Sequence, residues 1–541
     1  MQTITSSHSS ASGLSAVPVT SHFRPGNASA ASIVSRVVPS CETQTSRSAA
    51  GGSSIASSAC TAYPPVCAAW NDVPQPVYAM RTGGSRTSVG TARSHSGCAN
   101  SASLVCCPAA TRSVYSIRTV STYQLQTLPN GLRVLTADVP HAQSVACVIM
   151  LAAGSRYERR DNSGIAHFAE HMFFKGTERR PTARDVSSEI DAIGGEFNAF
   201  TSKEYTGYFV RCAAEFRDTA LDVLVDMIRN SKFEPTEIER EKGVIVEEMN
   251  MYFDTPRDYV SGVYDELIYG DHPLGWDTLG RKETIRDATR ETFLDYLGTW
   301  YTPSRMVVGV GGRVGEGLTE KIVDLLGDLD DRETGAPEPA PDLTRNGARV
   351  RVHTKDSDQA HLCLGVPSYP IKHPDRYALL MLATILGTGM SSRLFTEVRE
   401  RRGLAYYVFA MNHSHVDAGS LYAQAGVDVN RVDEAVETIA HELRRLAEEP
   451  VAPEELAKSR NLAKGRVALQ LEAPQGLILF GLRREVLENR APDPEEVFAE
   501  LGAVTAEDVQ RVAHDLLAAD RLNLALIGPF EDGERFERLL A

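Results

Sequence analysis

Two histidines and a glutamate stand close together in His167-Phe168-Ala169-Glu170-His171. On a helix, His167 and His171 are i and i+4, so both imidazoles leave one face. Glu170, three residues beyond His167 and next to His171, reaches the same patch. Two neutral imidazoles on one face suit Zn²⁺, and a third protein ligand leaves one tetrahedral position for water. A carboxylate beside that water can take its proton. The alternative is a surface histidine pair beside a solvated Glu. The flanking residues Ile165, Ala166, Phe168, Met172, Phe173 and Phe174 argue against it. They predict a buried helix over 163–175, where two unliganded imidazoles would be awkward.

A third ligand must come from another element. The segment 235–253 reads as a helix rich in acids: Glu237, Glu239, Glu241, Glu247 and Glu248. Glu241 and Glu248 are seven apart and share a face with Ile245 and Tyr252, whereas Glu247 is turned away by about 100°. One carboxylate of the pair could ligate a metal while the other orients a histidine or the ligand helix. A solvated acidic surface is the alternative fate of such a cluster.

The elements that must hold these groups follow from pattern. Leu128-Pro129-Asn130-Gly131 lies between alternating segments and signals a hairpin. Strands are predicted at 144–151, 196–200, 205–212 and 305–310. Helices are predicted at 183–193, 215–230, 256–269, 288–299 and 318–326. Residues 328–348 turn acidic and then Pro- and Gly-rich, the composition of a linker. The pattern then restarts, with strands at 349–354, 359–366, 404–411, 418–426 and 522–527, and helices at 374–386, 391–401 and on to 517. Thr289-Arg290-Glu291 answers Thr505-Ala506-Glu507, and Arg305-Met306-Val307-Val308 answers Arg521-Leu522-Asn523-Leu524. Gly312 likewise answers Gly528, and all three share one offset (505 − 289 = 521 − 305 = 528 − 312 = 216). A constant offset points to an internal duplication. The expected fold class is α+β, with two homologous domains, each a mixed or antiparallel sheet packed by helices, after a disordered N-terminal extension. The expected boundaries are 1–120 for the extension, 121–327 for the first domain, 328–348 for the linker and 349–541 for the second.

The formal charge of the 541-residue chain is −15. Residues 1–115 hold seven Arg, no Lys and two acids, Glu42 and Asp72, hence +5, leaving −20 on the rest. An acidic body argues against nucleic acid and suits peptide partners. No apolar run reaches the length of a membrane span. Six of nine cysteines (41, 60, 67, 98, 106 and 107) lie in the first 115 residues without paired spacing. Cys147, Cys212 and Cys363 are scattered through the rest and read as reduced core thiols. The first 115 residues are Ser-, Ala-, Gly- and Thr-rich, without sustained periodicity. Their acid-poor, Arg-containing composition fits an organellar transit peptide, and a mis-assigned start fits equally.

The His-x-x-Glu-His order is the inverzincin pattern. With the acidic helix it makes residues 123–541 resemble the insulinase (pitrilysin-like) metallopeptidase family. The nearest forms are two-domain bacterial processing proteases and the β subunit of mitochondrial processing peptidase. Glu248 stands 77 residues beyond His171 and seven beyond Glu241, the paired spacing the family uses, whereas seven before Glu247 is Arg240. The resemblance therefore implies one Zn²⁺ per chain, held by His167, His171 and Glu248, with Glu170 as general base and Glu241 as an outer partner of the ligands. Arg399 and Tyr406, in Arg399-Glu400-Arg401-Arg402-Gly403-Leu404-Ala405-Tyr406, have the spacing of the family's Arg–Tyr pair at the scissile carbonyl. Gly194-Gly195-Glu196-Phe197-Asn198-Ala199-Phe200-Thr201 resembles its substrate-pairing edge strand, with Asn198 and Ala199 against the peptide. His272, His353, His361, His413 and His415 lack ligand spacing and read as structural or solvated.

The resulting expectation is a zinc metalloendopeptidase cleaving peptides or presequence-like segments inside an enclosed chamber. The family's chamber has four domains, so a two-domain chain implies a homodimer, or a heterodimer with a related subunit. A non-catalytic partner subunit and a zinc-stabilised binding module are the alternatives. A bacterial-type cytoplasmic location is expected, or a mitochondrial or plastid matrix if the extension is a transit peptide.

Overall fold

The computed structural model describes residues 116–119, 122–344, 349–491 and 493–540. The expectations for the remainder of the N-terminal extension, including its six cysteines, lie outside the described residues.

In the first half, strands β1 (Ser116–Thr119), β2 (Gln124–Thr127), β3 (Arg133–Asp138) and β4 (Ser144–Leu151) precede helices α1 (Ile165–Phe173) and α2 (Ala183–Ala192). Strands β5 (Glu196–Thr201) and β6 (Thr206–Ala213) follow, then helices α3 (Arg217–Asn230), α4 (Pro235–Phe253), α5 (Pro256–Tyr269), α6 (Lys282–Asp287) and α7 (Arg290–Trp300). Strand β7 (Met306–Gly312) and helix α8 (Leu318–Leu326) close it. The second half contains β8 (Arg349–Thr354), β9 (Gln359–Pro367), α9 (Arg376–Gly387), a π-helix (Phe395–Arg401), β10 (Ala405–Ser414) and β11 (Gly419–Asp428). Helices α10 (Val432–Glu448), α11 (Pro453–Leu471), α12 (Pro474–Glu488), α13 (Pro494–Ala503) and α14 (Ala506–Leu516) lead to β12 (Asn523–Gly528) and α15 (Glu534–Leu540).

Two differences from the sequence reading are local. Strand β1 lies inside the segment expected to have no fold; it pairs antiparallel with β2, from Ser116 opposite Thr127. Four residues carry too little periodicity to announce themselves, and the neighbouring strand supplies the order. The helix expected over 391–401 becomes a π-helix from Phe395. A shift from i→i+4 to i→i+5 bonding leaves little trace in side-chain spacing.

The first sheet has the order β1-β2-β3-β7-β4-β6-β5 and the second β10-β11-β9-β12-β8. Read from the other end, the second sheet repeats the β3-β7-β4-β6-β5 part of the first. The repeat is in register: Arg133 pairs with Val307 in parallel, and Arg349 with Asn523 (349 − 133 = 523 − 307 = 216). Thr289 and Thr505 open α7 and α14 with equivalent capping boxes. The fold is α+β, with two copies of one sheet-and-helix unit.

Each sheet is covered by helices from both halves. On β4, Val145, Cys147, Ile149 and Leu151 join the core built with α1, α3 and α4, while Ala146, Val148 and Met150 face the core that contains α12. Helix α12, from the second half, lies on β3, β4 and β7, and Gly309 and Gly311 on β7 allow its approach. A Cβ at Gly311 would sit 2.7 Å from the Pro474 carbonyl oxygen. The exchange is returned: α5, from the first half, lies on β8, β9 and β12, with Val260, Val263 and Tyr264 packed on Cys363, Ala525 and Ile527.

A buried ion network joins the halves at the β5–β6 turn. Arg156, 2% exposed, donates to Glu204 Oε1 at 2.6 Å, to both Asp417 oxygens at 2.6 and 2.7 Å, and to the Glu338 carbonyl in the connecting segment. Glu204 also accepts from the Val416 backbone N–H. Burial alone would raise the Glu204 carboxyl, but His415, the Val416 N–H and Arg156 outweigh it and hold it below its ordinary value of 4.5. A carboxyl depressed in the native state contributes stability that is present above that value and is lost as pH falls through the native one. Glu204→Gln should cost about 3 kcal/mol at neutral pH. It should also flatten the loss of stability below pH ~4.5. Urea denaturation across a pH series checks both, and an unaltered acid limb would show that this carboxylate is not its source.

Candidate active site

Helix α1 begins at Gly164, whose φ of +94° suits glycine, and a Cβ there would meet the Leu279 carbonyl at 2.6 Å. Glu158 caps the helix from outside its sequence. Its Oε2 accepts from Gly164 N–H and its Oε1 from Ala166 N–H, both at 2.8 Å. Burial pushes the Glu158 carboxyl up to about 8, against the pull of those two N–H groups. One face of α1 is fixed by aromatic packing: Phe168 on Phe293 at 4.9 Å, and Phe173 on Tyr208 at 5.1 Å and on Phe233 at 5.3 Å. Phe233, with φ of +51°, holds a left-handed conformation that costs a non-glycine residue about 1–2 kcal/mol. Its burial between Phe173 and Phe293 offsets that cost and sets the entry to α4.

The other side of α1 meets α4 and β5. The ring centroids of His167 and His171 are 4.7 Å apart. The two Nε2 atoms face Glu248, at 3.6 Å from Oε1 and 3.5 Å from Oε2 respectively. One ligand atom from each of His167, His171 and Glu248 lies within 4.8 Å of the others, and among the described residues this is the one cluster with metal-ligand geometry. Glu247, its neighbour on α4, is exposed.

Charge is balanced around this cluster. Burial, and then the neighbouring His171, drive His167 well below its ordinary value, so its imidazole is neutral. Among the described residues its buried Nδ1 has no hydrogen-bond partner. Burial also opposes charge on His171, but the Glu241 hydrogen bond and the Glu248 and Glu170 charges outweigh it and raise the group. His171 Nδ1 lies 2.9 Å from Glu241 Oε1, and Lys175 Nζ lies 2.5 Å from Glu241 Oε2. Burial raises Glu248, partly countered by His171. Glu170 is pushed up to about 7 by burial, against a hydrogen bond from Thr201 Oγ1 to its Oε2 at 2.5 Å.

The structure thus brings His167, Glu170, His171, Glu241 and Glu248 together. Asn198 and Ala199 lie on β5, at the free edge of the first sheet. The Asn198 side chain accepts from the Ala199 N–H at 2.8 Å. Arg399 and Tyr406 are elsewhere, at the π-helix and on β10, the edge of the second sheet. Arg399 stacks over Phe395 and Tyr406, and Tyr406 is 76% exposed. Among the described residues neither makes a hydrogen bond or ion pair with the histidine–glutamate cluster. Sequence reasoning missed Glu158, Lys175 and Thr201. Lys175 stands four residues beyond His171, just past the end of α1, and Thr201 two beyond Ala199 on the same strand face, so spacing could have flagged both. Glu158 carries no such signal.

Residues 133–282 match the family described as insulinase (peptidase family M16), and residues 287–462 match the peptidase M16 inactive domain. An uncharacterized zinc protease of Bacillus subtilis, YmxG, is 37% identical over 74% of this chain and 97% of its own length. One from Streptomyces coelicolor is 34% identical over 76% and 91%. A crystal structure of a Helicobacter pylori protease matches with a TM-score of 0.70 at 24% identity, over 75% of this chain and 99% of its own, and shows the shared fold. With two relatives above 30% identity along nearly their whole lengths, the chain belongs to the insulinase family, peptidase family M16.

If Glu248 is the carboxylate ligand, Glu248→Gln should lower bound zinc, by elemental analysis, far more than Glu247→Gln. Equal occupancy in the two variants would overturn the assignment.

Proposed function

We propose that this protein is a zinc-dependent metalloendopeptidase. The observation that carries the reading is the convergence of His167, His171 and Glu248 within 4.8 Å, with Glu170 beside them. The donor set fits the ion. The Nε2–carboxylate separations of 3.5 and 3.6 Å are too long for hydrogen bonds and leave all three groups free to share a cation. Three carboxyl groups, Glu170, Glu241 and Glu248, face the one ammonium of Lys175, and a dication would favour the ionised form of the raised Glu170 and Glu248.

A zinc ion bound there would polarise the scissile carbonyl and acidify a water. Glu170 accepts the proton of that water on its carboxylate and passes it to the leaving amine nitrogen. Glu241, tied to Lys175, holds His171 through Nδ1 and leaves Nε2 for the metal. The free edge of β5 offers backbone groups to an extended peptide, with Asn198 and Ala199 at the point of pairing. A substrate carbonyl then replaces the Asn198 side chain on the Ala199 N–H.

The exposed Tyr406, with the part-exposed Arg399 beside it, supports an assembled site. We infer a dimer, with itself or a related chain, in which one subunit's Arg399 and Tyr406 serve the other's cluster as donors to the scissile carbonyl. Such a dimer encloses the peptide in a chamber of four domains.

Two experiments test this reading. Glu170→Gln should keep its zinc and lose turnover of a fluorogenic peptide by at least about 100-fold, since the base is removed and the ligands are not. Near wild-type turnover would remove Glu170 from its role. Mixing Glu170→Gln with Arg399→Ala/Tyr406→Phe protein should restore partial activity, because mixed dimers hold one intact composite site. A fully active monomer in sizing experiments, or mixed dimers without activity, would overturn the shared site.

A further inference from the structure

The β5 strand does more than present an edge. Its residues alternate, with Ala199 and Thr201 buried and Asn198 exposed. Ala199 and Thr201 therefore turn to the side that packs on α1. Thr201 is 8% exposed, and its hydroxyl donates to Glu170 Oε2. Among the described residues this is the one hydrogen bond made by the Glu170 carboxylate.

The hydroxyl is not explained by the strand. Thr201 pairs with Thr206 through backbone groups. At a buried strand position, valine has nearly the same shape and high strand propensity. A buried hydroxyl without a partner would be costly, so what keeps this one is its acceptor on Glu170. The acceptor gains in turn. A glutamate side chain has three rotatable bonds, and a base must present one oxygen within hydrogen-bond reach of the proton it takes. With Oε2 held by Thr201, the carboxylate plane is set and Oε1 remains for the water.

We propose that Thr201 is a positioning residue that orients Glu170 and couples it to the substrate strand. The inference rests on the peptidase reading given above. Thr201 lies two residues beyond Ala199, so the edge that pairs with a peptide and the hydroxyl that holds the base on α1 belong to one rigid strand. Glu204, three residues further on, anchors the turn to Arg156 and Val416. The register between edge and base is thereby fixed from both sides.

The test compares Thr201→Val with Thr201→Ser in the full chain. Val should lower kcat about 10- to 100-fold with KM within about twofold and zinc content unchanged. Ser, which keeps the hydroxyl, should recover most of the rate. Thr201→Ala gives the same comparison should Val fail to fold. Crystals of the metal-free Val or Ala variant should show the Glu170 carboxylate rotated from its wild-type orientation. Wild-type kcat in Val, a loss that Ser does not restore, or an unmoved Glu170 carboxylate would each overturn the inference. A wild-type protein without zinc-dependent turnover would instead strike down the peptidase reading, and the Glu170 orientation would still decide whether Thr201 positions it.

Discussion

The exchange of helices between the two sheets is the constraint on which the rest of the structure depends. Neither half covers both faces of its own sheet. β3, β4 and β7 are apolar on both sides, and α12 packs over one side. α5 closes the second sheet in the same way. Buried apolar area of this kind contributes about 25 cal/mol per Å², so separating the halves would expose two cores at once. The halves are therefore one cooperative body, although the chain repeats its fold. The Arg156–Glu204–Asp417 network adds direction to this adhesion: the buried Arg156–Glu204 pair, completed by the part-exposed Asp417, favours one partner geometry.

That exchange also fixes the site. Helix α4 carries Glu241 and Glu248 and runs, after a two-residue turn, into α5, which is held on the other sheet. At its start α4 is set by the strained Phe233 wedged between Phe173 and Phe293. Helix α1 is fixed by the Glu158 cap and by its aromatic face. Two helices pinned at these points bring two imidazoles to 3.6 and 3.5 Å from one carboxylate without a hydrogen bond between them. Such an arrangement is electrostatically expensive unless a cation shares it.

The two repeats have diverged at equivalent strands. β5 and β10 occupy the same place in their sheets, each at the free edge. β5 runs beside the helix with the histidines, and β10 follows a π-helix with Arg399 and displays Tyr406 to solvent. A His–Glu cluster with metal-ligand spacing sits in one repeat, and an exposed Tyr406 beside a part-exposed Arg399 sits in the other. Duplicating the fold supplied two scaffolds with the same edge, and local residue differences gave the two edges different side chains.

Much of this was legible in the sequence. The period of α1, the i, i+4 histidines and the seven-residue spacing of Glu241 and Glu248 follow from helix geometry, which is local. The 216-residue offset revealed the duplication because the same strands and caps need the same residues. Spacing along one helix cannot say which carboxylate of an acidic face meets a histidine on another. Only the crossing of α1 and α4 decided that Glu241 reaches Nδ1 of His171 while Glu248 faces both Nε2 atoms. The Glu158 cap, the Thr201 hydroxyl on Glu170 and the swapped α5 and α12 were invisible for the same reason. Each joins residues whose encounter depends on how distant helices pack, and packing is a property of the assembled core, not of any one segment.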